Sequence, residues 1–184
     1  MTAAPASRVL VVLGANMAPR AHLPEAVLRL AASPDVVLCA VSRVWRTPAV
    51  GAPGPDFLNA AVALDTSLGP EALRERVLRP IEAALGRVRG ADRNAPRPID
   101  LDIVVHGALV DTALGLPDPA IADQAHLALP LADVAPDWRE PRTGRTLRDL
   151  AVRLAGAPGV RLEPLVLPAP NGPRGAVDPA GADP

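Results

Sequence analysis

The stretch Pro98–His106 (PIDLDIVVH) decides the fold and also places the chemistry. Ile99, Leu101 and Ile103 alternate with Asp100 and Asp102, which is the two-residue period of a β-strand. The apolar side is read as core, so both carboxylates leave the same face of one strand. Upstream, Phe57–Asp65 (FLNAAVALD) reads as a second strand. Val36–Trp45 reads as a third, an apolar run that turns into alternation at Val41, Arg43 and Trp45. Arg8–Leu13 is a short buried strand that stops at the turn signal Gly14-Ala15-Asn16. Leu23–Ala32 carries Leu23, Ala26, Val27, Leu30 and Ala31 on one helical stripe, with Pro24 in its first turn. Pro70–Leu85 is the longest helix, and its apolar positions run through Pro80, which predicts a kink there.

The order is β-α-β-β-α-β. It predicts an α+β domain built on a ferredoxin-like antiparallel sheet, with helices on one face and C-terminal additions. Ala108–Asp111 is read as pairing with the PIDLDIVVH strand across Gly107, and helices are expected over Ala125–Val134 and Thr146–Leu154. The domain is expected over residues 1–163. Residues 164–184 hold six Pro and no apolar period beyond Leu167, so they read as a disordered tail.

Composition excludes several classes. With 184 residues, 49% apolar and 21% charged, the chain can bury one core. Its apolar runs are too short to cross a bilayer, and its N-terminus lacks the long apolar region of a secretory signal. The single Cys39 cannot form an intrachain disulfide, and three His with one Cys argue against structural zinc. A cytoplasmic protein with no membrane contact is expected. All 19 basic residues are Arg. The absence of Lys excludes a Walker A loop, a kinase of the usual Lys-dependent type, a Schiff-base enzyme and a pyridoxal enzyme. A net charge of −1 and three aromatic residues (Trp45, Phe57, Trp138) argue against a nucleic-acid partner.

Just upstream of the paired carboxylates, the polar stretch Gly86–Pro98 reads as a long loop carrying Arg87, Arg89, Arg93 and Arg97. Two like charges side by side repel unless a cation sits between them, and such pairs hold Mg²⁺, whose shell keeps waters and substrate phosphates. Guanidinium forks match phosphate oxygens. An acid pair beside an Arg loop is therefore the ingredient list for phosphoryl transfer. Taken separately, an Asp-x-Asp on a strand is also an ordinary solvated or salt-bridged face, and an Arg-rich loop is also ordinary surface.

The run Pro96–Val104 (PRPIDLDIV) resembles the signature of the 6-hydroxymethyl-7,8-dihydropterin pyrophosphokinase family of folate biosynthesis. Leu13–Asn16, Ser42–Pro48, Asp56–Val62, and Glu82 followed by Gly86–Arg89 resemble further family segments in the same order. The resemblance implies transfer of the β,γ-pyrophosphoryl group of ATP to the hydroxymethyl oxygen of the pterin, releasing AMP, with two Mg²⁺. It implies that Asp100 and Asp102 hold both metals. Arg87 and Arg97 would bind the ATP phosphates, Arg89 would close over them, and Glu82 and Ile103 would lie on the nucleotide side. Thr47, Pro48, Phe57, Asn59 and His126 would line the pterin pocket, with Phe57 stacking on the ring. A monomer or weak dimer is expected.

Several positions depart from the family pattern. Asp118 stands in place of a His, Gln124 of an Arg, His126 of a second stacking ring and Asn94 of a loop aromatic. Ala113 and Gly115 replace a basic residue and a hydroxyl. These changes predict weak ATP binding with the chemical step retained. Two alternatives remain open: a divergent nucleotide- or pterin-binding relative with little turnover, and an RNA-binding module using the Arg74–Arg97 face, where seven Arg oppose three acids.

Overall fold

Strand β1 (Ser7–Ala15) is the apolar centre around which the domain is built. A computed structural model describes residues 6–50, 54–88 and 96–170. Strands β2 (Val37–Val41), β3 (Val44–Thr47), β4 (Phe57–Thr66), β5 (Asp100–His106) and β6 (Arg161–Glu163) join β1 in a six-stranded sheet. The strand order is β5-β1-β4-β3-β6, with β2 also pairing β4, and every pairing is antiparallel. This order is compatible with the ferredoxin-like arrangement, with β2 and β3 together filling one strand position.

The stretch 36–45 forms two strands rather than one, and the break has a local cause. Ser42 is buried, and its Oγ accepts the Ala61 N–H at 2.7 Å while donating to the Arg43 carbonyl at 2.6 Å. A side chain thus takes a ladder position that a backbone carbonyl would fill. Beyond the break, Asp133 fixes β3 by accepting from the Arg43 guanidinium and from the Trp45 indole N–H at 3.2 Å. Glu163 holds β6 to β3 through Arg46 at 2.8 Å.

The helices cover both faces of the sheet, where one face was expected. Helix α1 (Pro19–Ala32) starts on Pro19, whose fixed φ suits a first turn, so Pro24 lies inside it. With α2 (Pro70–Leu73) and α3 (Arg79–Ala84), α1 packs on Val9, Val11, Leu13, Val62 and Leu64. Helices α4 (Ala125–Val134) and α5 (Leu147–Leu154) pack on Leu10, Val12, Ala61, Ala63 and Val104. An unbroken apolar run such as Val9–Leu13 needs cover on both sides, and the C-terminal additions supply the second cover. Between α2 and α3 the helix widens into a π turn over Arg74–Leu78, closed by the Arg79 N–H bonding the Arg74 carbonyl. Pro80 has no N–H to give the Arg76 carbonyl, and the deformation predicted at Pro80 takes this form one turn earlier.

Ala108–Asp111 does not extend the sheet. Gly107 takes φ +55° and turns the chain away, and Asp111 forms an isolated bridge with Leu116. Among the described residues no helix is long and apolar enough to cross a membrane. Of the expected tail, residues 171–184 lie outside the described residues. Leu165 packs against the core and Leu167 is buried at 9% exposure.

A chain ended after Leu167 is expected to melt within about 2 °C of the full protein. A chain ended after Glu163, which loses the buried Leu167, is expected to melt about 4–8 °C lower, because burying one Leu contributes about 2 kcal/mol. Thermal melts of the two truncations check this.

Candidate active site

The site grows from one cross-strand row. In register, Asp100 of β5 faces Gly14 of β1, and Gly14 faces Asn59 of β4. Residues paired across antiparallel strands share a face, so Asp100 and Asn59 flank a glycine that contributes no side chain. A Cβ on Gly14 would stand 3.2 Å from Asn59 Oδ1 and 3.7 Å from Phe57. The glycine is needed for space.

On the Asn59 side lies a cavity of about 270 Å³, lined by Thr47, Pro48, Phe57, Asn59, Arg97, Asp100, Asp102, Asp118 and His126 among others. Asn59 and Thr47 are buried at 3% and 4% exposure, and Asn59 Nδ2 donates to Thr47 Oγ1 at 3.0 Å. That bond consumes one amide donor and leaves Asn59 Oδ1 and the Thr47 hydroxyl proton for a ligand. Phe57 supplies a ring face, and the Arg97 guanidinium stands 6.0 Å from its centroid. Burial holds the His126 imidazole below its ordinary pKa, against the pull of Asp118, so the ring is neutral at neutral pH. The cavity suits a flat heteroaromatic molecule with a hydrogen-bonding edge.

Around the outer edge of β5 lies a second cavity of about 290 Å³, lined by Arg74, Leu78, Arg79, Glu82, Arg87, Asp100, Leu101 and Asp102. The Asp pair is the wall between the two cavities. Asp100 binds the Arg87 guanidinium on one oxygen and Arg97 Nη1 on the other, the latter at 2.6 Å. Arg87 is itself fixed by Glu82 at 2.8 Å and by the Ile99 carbonyl at 3.1 Å. Glu82 is buried and also accepts the Leu101 N–H at 2.9 Å, which ties α3 to β5. Arg97 is anchored at its backbone: its N–H donates to Asn16 Oδ1 at 2.7 Å, and its carbonyl accepts the Asn16 and Met17 N–H groups at 3.2 Å.

These contacts separate two neighbouring carboxylates. Burial works against the charge on Asp100, but Arg87 and Arg97 outweigh it and hold the carboxyl below its ordinary range. The Asp102 carboxylate makes no ion pair with a described residue. It opens onto the cleft, yet the concave wall displaces bulk water, and this desolvation, then the charges of Asp100 and Glu82, push its pKa up to about 6. A carboxylate destabilised in this way by two others is suited to accept a cation. Among the described residues no three His, Cys, Asp or Glu side chains gather as a metal cage. Two carboxylates fit an ion such as Mg²⁺, which completes its shell with water and phosphate oxygens.

Most of the residues expected at the site therefore meet there. Ile103 lines neither cavity: it is buried in the core on the face of β5 that it shares with Leu101, which itself reaches the second cavity. Arg89 and Asn94 lie outside the described residues. Glu82 reaches the second cavity, but its oxygen is spent on Arg87 and Leu101. Two departures have local explanations. Asp118 caps the short 3₁₀ turn Pro119–Ala122 by accepting the Ala120 N–H at 2.8 Å, and Gly115 takes φ +66°, which a residue with a side chain rarely adopts. Of the five described Arg on the Arg74–Arg97 face, four are paired: Arg76 with Asp35, Arg79 with Glu75, Arg87 with Glu82, and Arg97 with Asp100. In the sequence Gly14 and Asn16 mark a turn within a family-like segment and Arg74 one end of an Arg-rich face, with no periodic signal that would place them at the site.

The profile of the 7,8-dihydro-6-hydroxymethylpterin-pyrophosphokinase (HPPK) family matches residues 10–136. A 2-amino-4-hydroxy-6-hydroxymethyldihydropteridine pyrophosphokinase of Methylorubrum extorquens is 43% identical over 152 residues, covering 80% of this chain and 94% of that one. The enzyme of the same name from Pseudomonas aeruginosa is 40% identical over 162 residues, covering 86% and 96%. Among solved structures, wild-type Plasmodium falciparum HPPK-DHPS with pteroate superposes with a TM-score of 0.61 at 12% identity, covering 82% of this chain and 42% of that chain. This chain thus spans under half the length of that two-part protein, and the likeness concerns the fold.

Asp102 gives a stability prediction. Its folded-state pKa lies above the ordinary carboxylate value, so its contribution favours folding below about pH 4 and is lost as pH rises through about 6. Asp102→Asn is therefore expected to raise the melting temperature of the metal-free protein at about pH 7.5, with the gain fading as pH falls towards 4. A gain independent of pH would contradict this assignment.

Proposed function

The chain belongs to the 7,8-dihydro-6-hydroxymethylpterin-pyrophosphokinase family, and from that membership and its paired cavities we infer how its own residues transfer pyrophosphate from ATP to the hydroxymethyl group of the dihydropterin. The observation that carries the inference is the wall formed by Asp100 and Asp102 between a ring-binding cavity and a polar, Arg-lined one. A transferase that joins two substrates needs such a shared boundary, because the reacting oxygen and phosphorus must meet within about 3–3.5 Å.

In this reading Asn59 Oδ1 and the Thr47 hydroxyl receive the pterin edge, and Phe57 and His126 bracket its ring. Pro48 shapes the rim. The hydroxymethyl group then points to the Asp wall. Asp100 and Asp102 would hold magnesium, which when bound would screen phosphate charge and stabilise the charge of the transfer. We take two ions, since two carboxylates and a triphosphate offer oxygens enough for both. Arg87 and Arg97 lie beside the carboxylates, where their forks can turn to phosphate oxygens. Glu82 and Asn16 act through them, keeping Arg87 and the Arg97 backbone in place. A cytoplasmic setting suits the single thiol of Cys39, and a monomer or weak dimer completes the reading.

Incubation with ATP, Mg²⁺ and the hydroxymethyl-dihydropterin is expected to yield AMP only when the pterin is present. ADP, or no nucleotide product at millimolar ATP, would contradict the reading. Asp100→Ala and Asp102→Ala are each expected to abolish AMP formation with the fold retained. Arg97→Ala is expected to lower kcat/KM by roughly 30- to 1000-fold, the loss of a charge-stabilising donor worth about 2–4 kcal/mol. Rates of AMP release for the three variants check both statements.

A further inference from the structure

Arg74 is half-buried against the polar cavity at β5, and its guanidinium makes no ion pair or hydrogen bond with a described residue. The other cations lining it are engaged. Arg87 is held by Glu82 and Asp100, and Arg79 pairs with Glu75 on the helix surface. Among the described residues, Arg74 is the cation of this cavity whose guanidinium has no ion-pair or hydrogen-bond partner.

The helix has been deformed to bring it there. In a regular α-helix residues five apart are turned by about 140° from each other, so Arg74 and Arg79 could not both face one cavity. The π turn over Arg74–Leu78 bonds the Arg79 N–H to the Arg74 carbonyl and sets the two residues one above the other. Both then line the cavity with Leu78 and Glu82. π turns of this kind occur frequently at functional sites.

We propose that Arg74 is a phosphate-binding residue for the nucleoside triphosphate, placed at the cavity by the π turn. The proposal rests on the reading given under Proposed function. Arg74, Arg79 and Arg87 balance Glu82, Asp100 and Asp102 in this cavity, so a divalent cation on the two aspartates would make it net positive and leave it needing a polyanion. A guanidinium already half desolvated there presents a planar fork to phosphate oxygens with little further ordering.

The test is equilibrium binding of Mg·ATP and of magnesium tripolyphosphate to the full chain by calorimetry. Arg74→Gln is expected to weaken both ligands at least about tenfold, with Arg74→Lys intermediate. Arg76→Gln, on the same helix but paired with Asp35, is expected to stay within about twofold of the parent. Equal melting temperatures would show that the variants are folded. An Arg74→Gln protein that binds both ligands like the parent overturns the proposal alone. Loss of ATP affinity with tripolyphosphate unchanged also overturns it, by assigning Arg74 to the nucleoside. A parent protein that binds neither ligand overturns the proposal together with the transferase reading.

Discussion

The site depends on one buried ionic chain, in which Glu82 holds Arg87 and Arg87 holds Asp100. The Glu82 side chain is 4% exposed and that of Arg87 14%. Removing one member of such a pair leaves a buried charge without compensation, at a cost of about 3–5 kcal/mol. The chain runs from α3 to the start of β5, and Glu82 also takes the Leu101 N–H. It therefore fixes the strand that carries both carboxylates. It also sets their difference: Asp100 is neutralised by two guanidiniums, while Asp102 is left facing two negative neighbours. Both arginines satisfy Asp100, and in the proposed reading a cation on that carboxylate would free their guanidiniums for phosphate.

The second constraint is space at the end of β1. Gly14 sits between Asp100 and Asn59 in the same cross-strand row, so the sheet itself forms a floor running from the Asp pair to the ring pocket. Asn16, two residues on, holds the Arg97 backbone and brings the Arg-rich loop over that floor. Helix α4 completes the pocket with His126 and Leu127. It can do so because the second face of the sheet is apolar and draws α4 and α5 onto it. Fold and site thus share one cause, the double-sided burial of β1 and β4.

What could be read from sequence was whatever repeats with a simple period. The Asp pair of PIDLDIVVH, the helix Ala125–Val134 and the strand from Phe57 follow from alternation or from a helical stripe. The family resemblance then brought Thr47, Asn59 and His126 to one pocket, though they are far apart in the chain. Ile103 is buried and shares its parity with Leu101, which lines the second cavity, so alternation alone does not say which of the two faces a ligand. Other features depend on a single side chain doing the work of backbone, which leaves no periodic trace. Ser42 takes a ladder position and splits a strand, and Asn16 ties down a loop. The π turn is a further case: Pro80 announced a deformation, but only the three-dimensional path shows that it turns Arg74 inwards. The cover on both faces of the sheet was implicit in the run Val9–Leu13, but which helices supply it was not.

The most direct test of the shared-wall account is a crystal structure of the protein with Mn²⁺, a non-hydrolysable ATP analogue and the dihydropterin. Anomalous scattering locates the ions independently of any assumption about the site. The account predicts metal bound by carboxylate oxygens of Asp100 and Asp102, the pterin against Phe57 and Asn59, and the Arg87 or Arg97 guanidinium turned from Asp100 to phosphate. Ions bound away from both aspartates, or both substrates in one cavity, would contradict it.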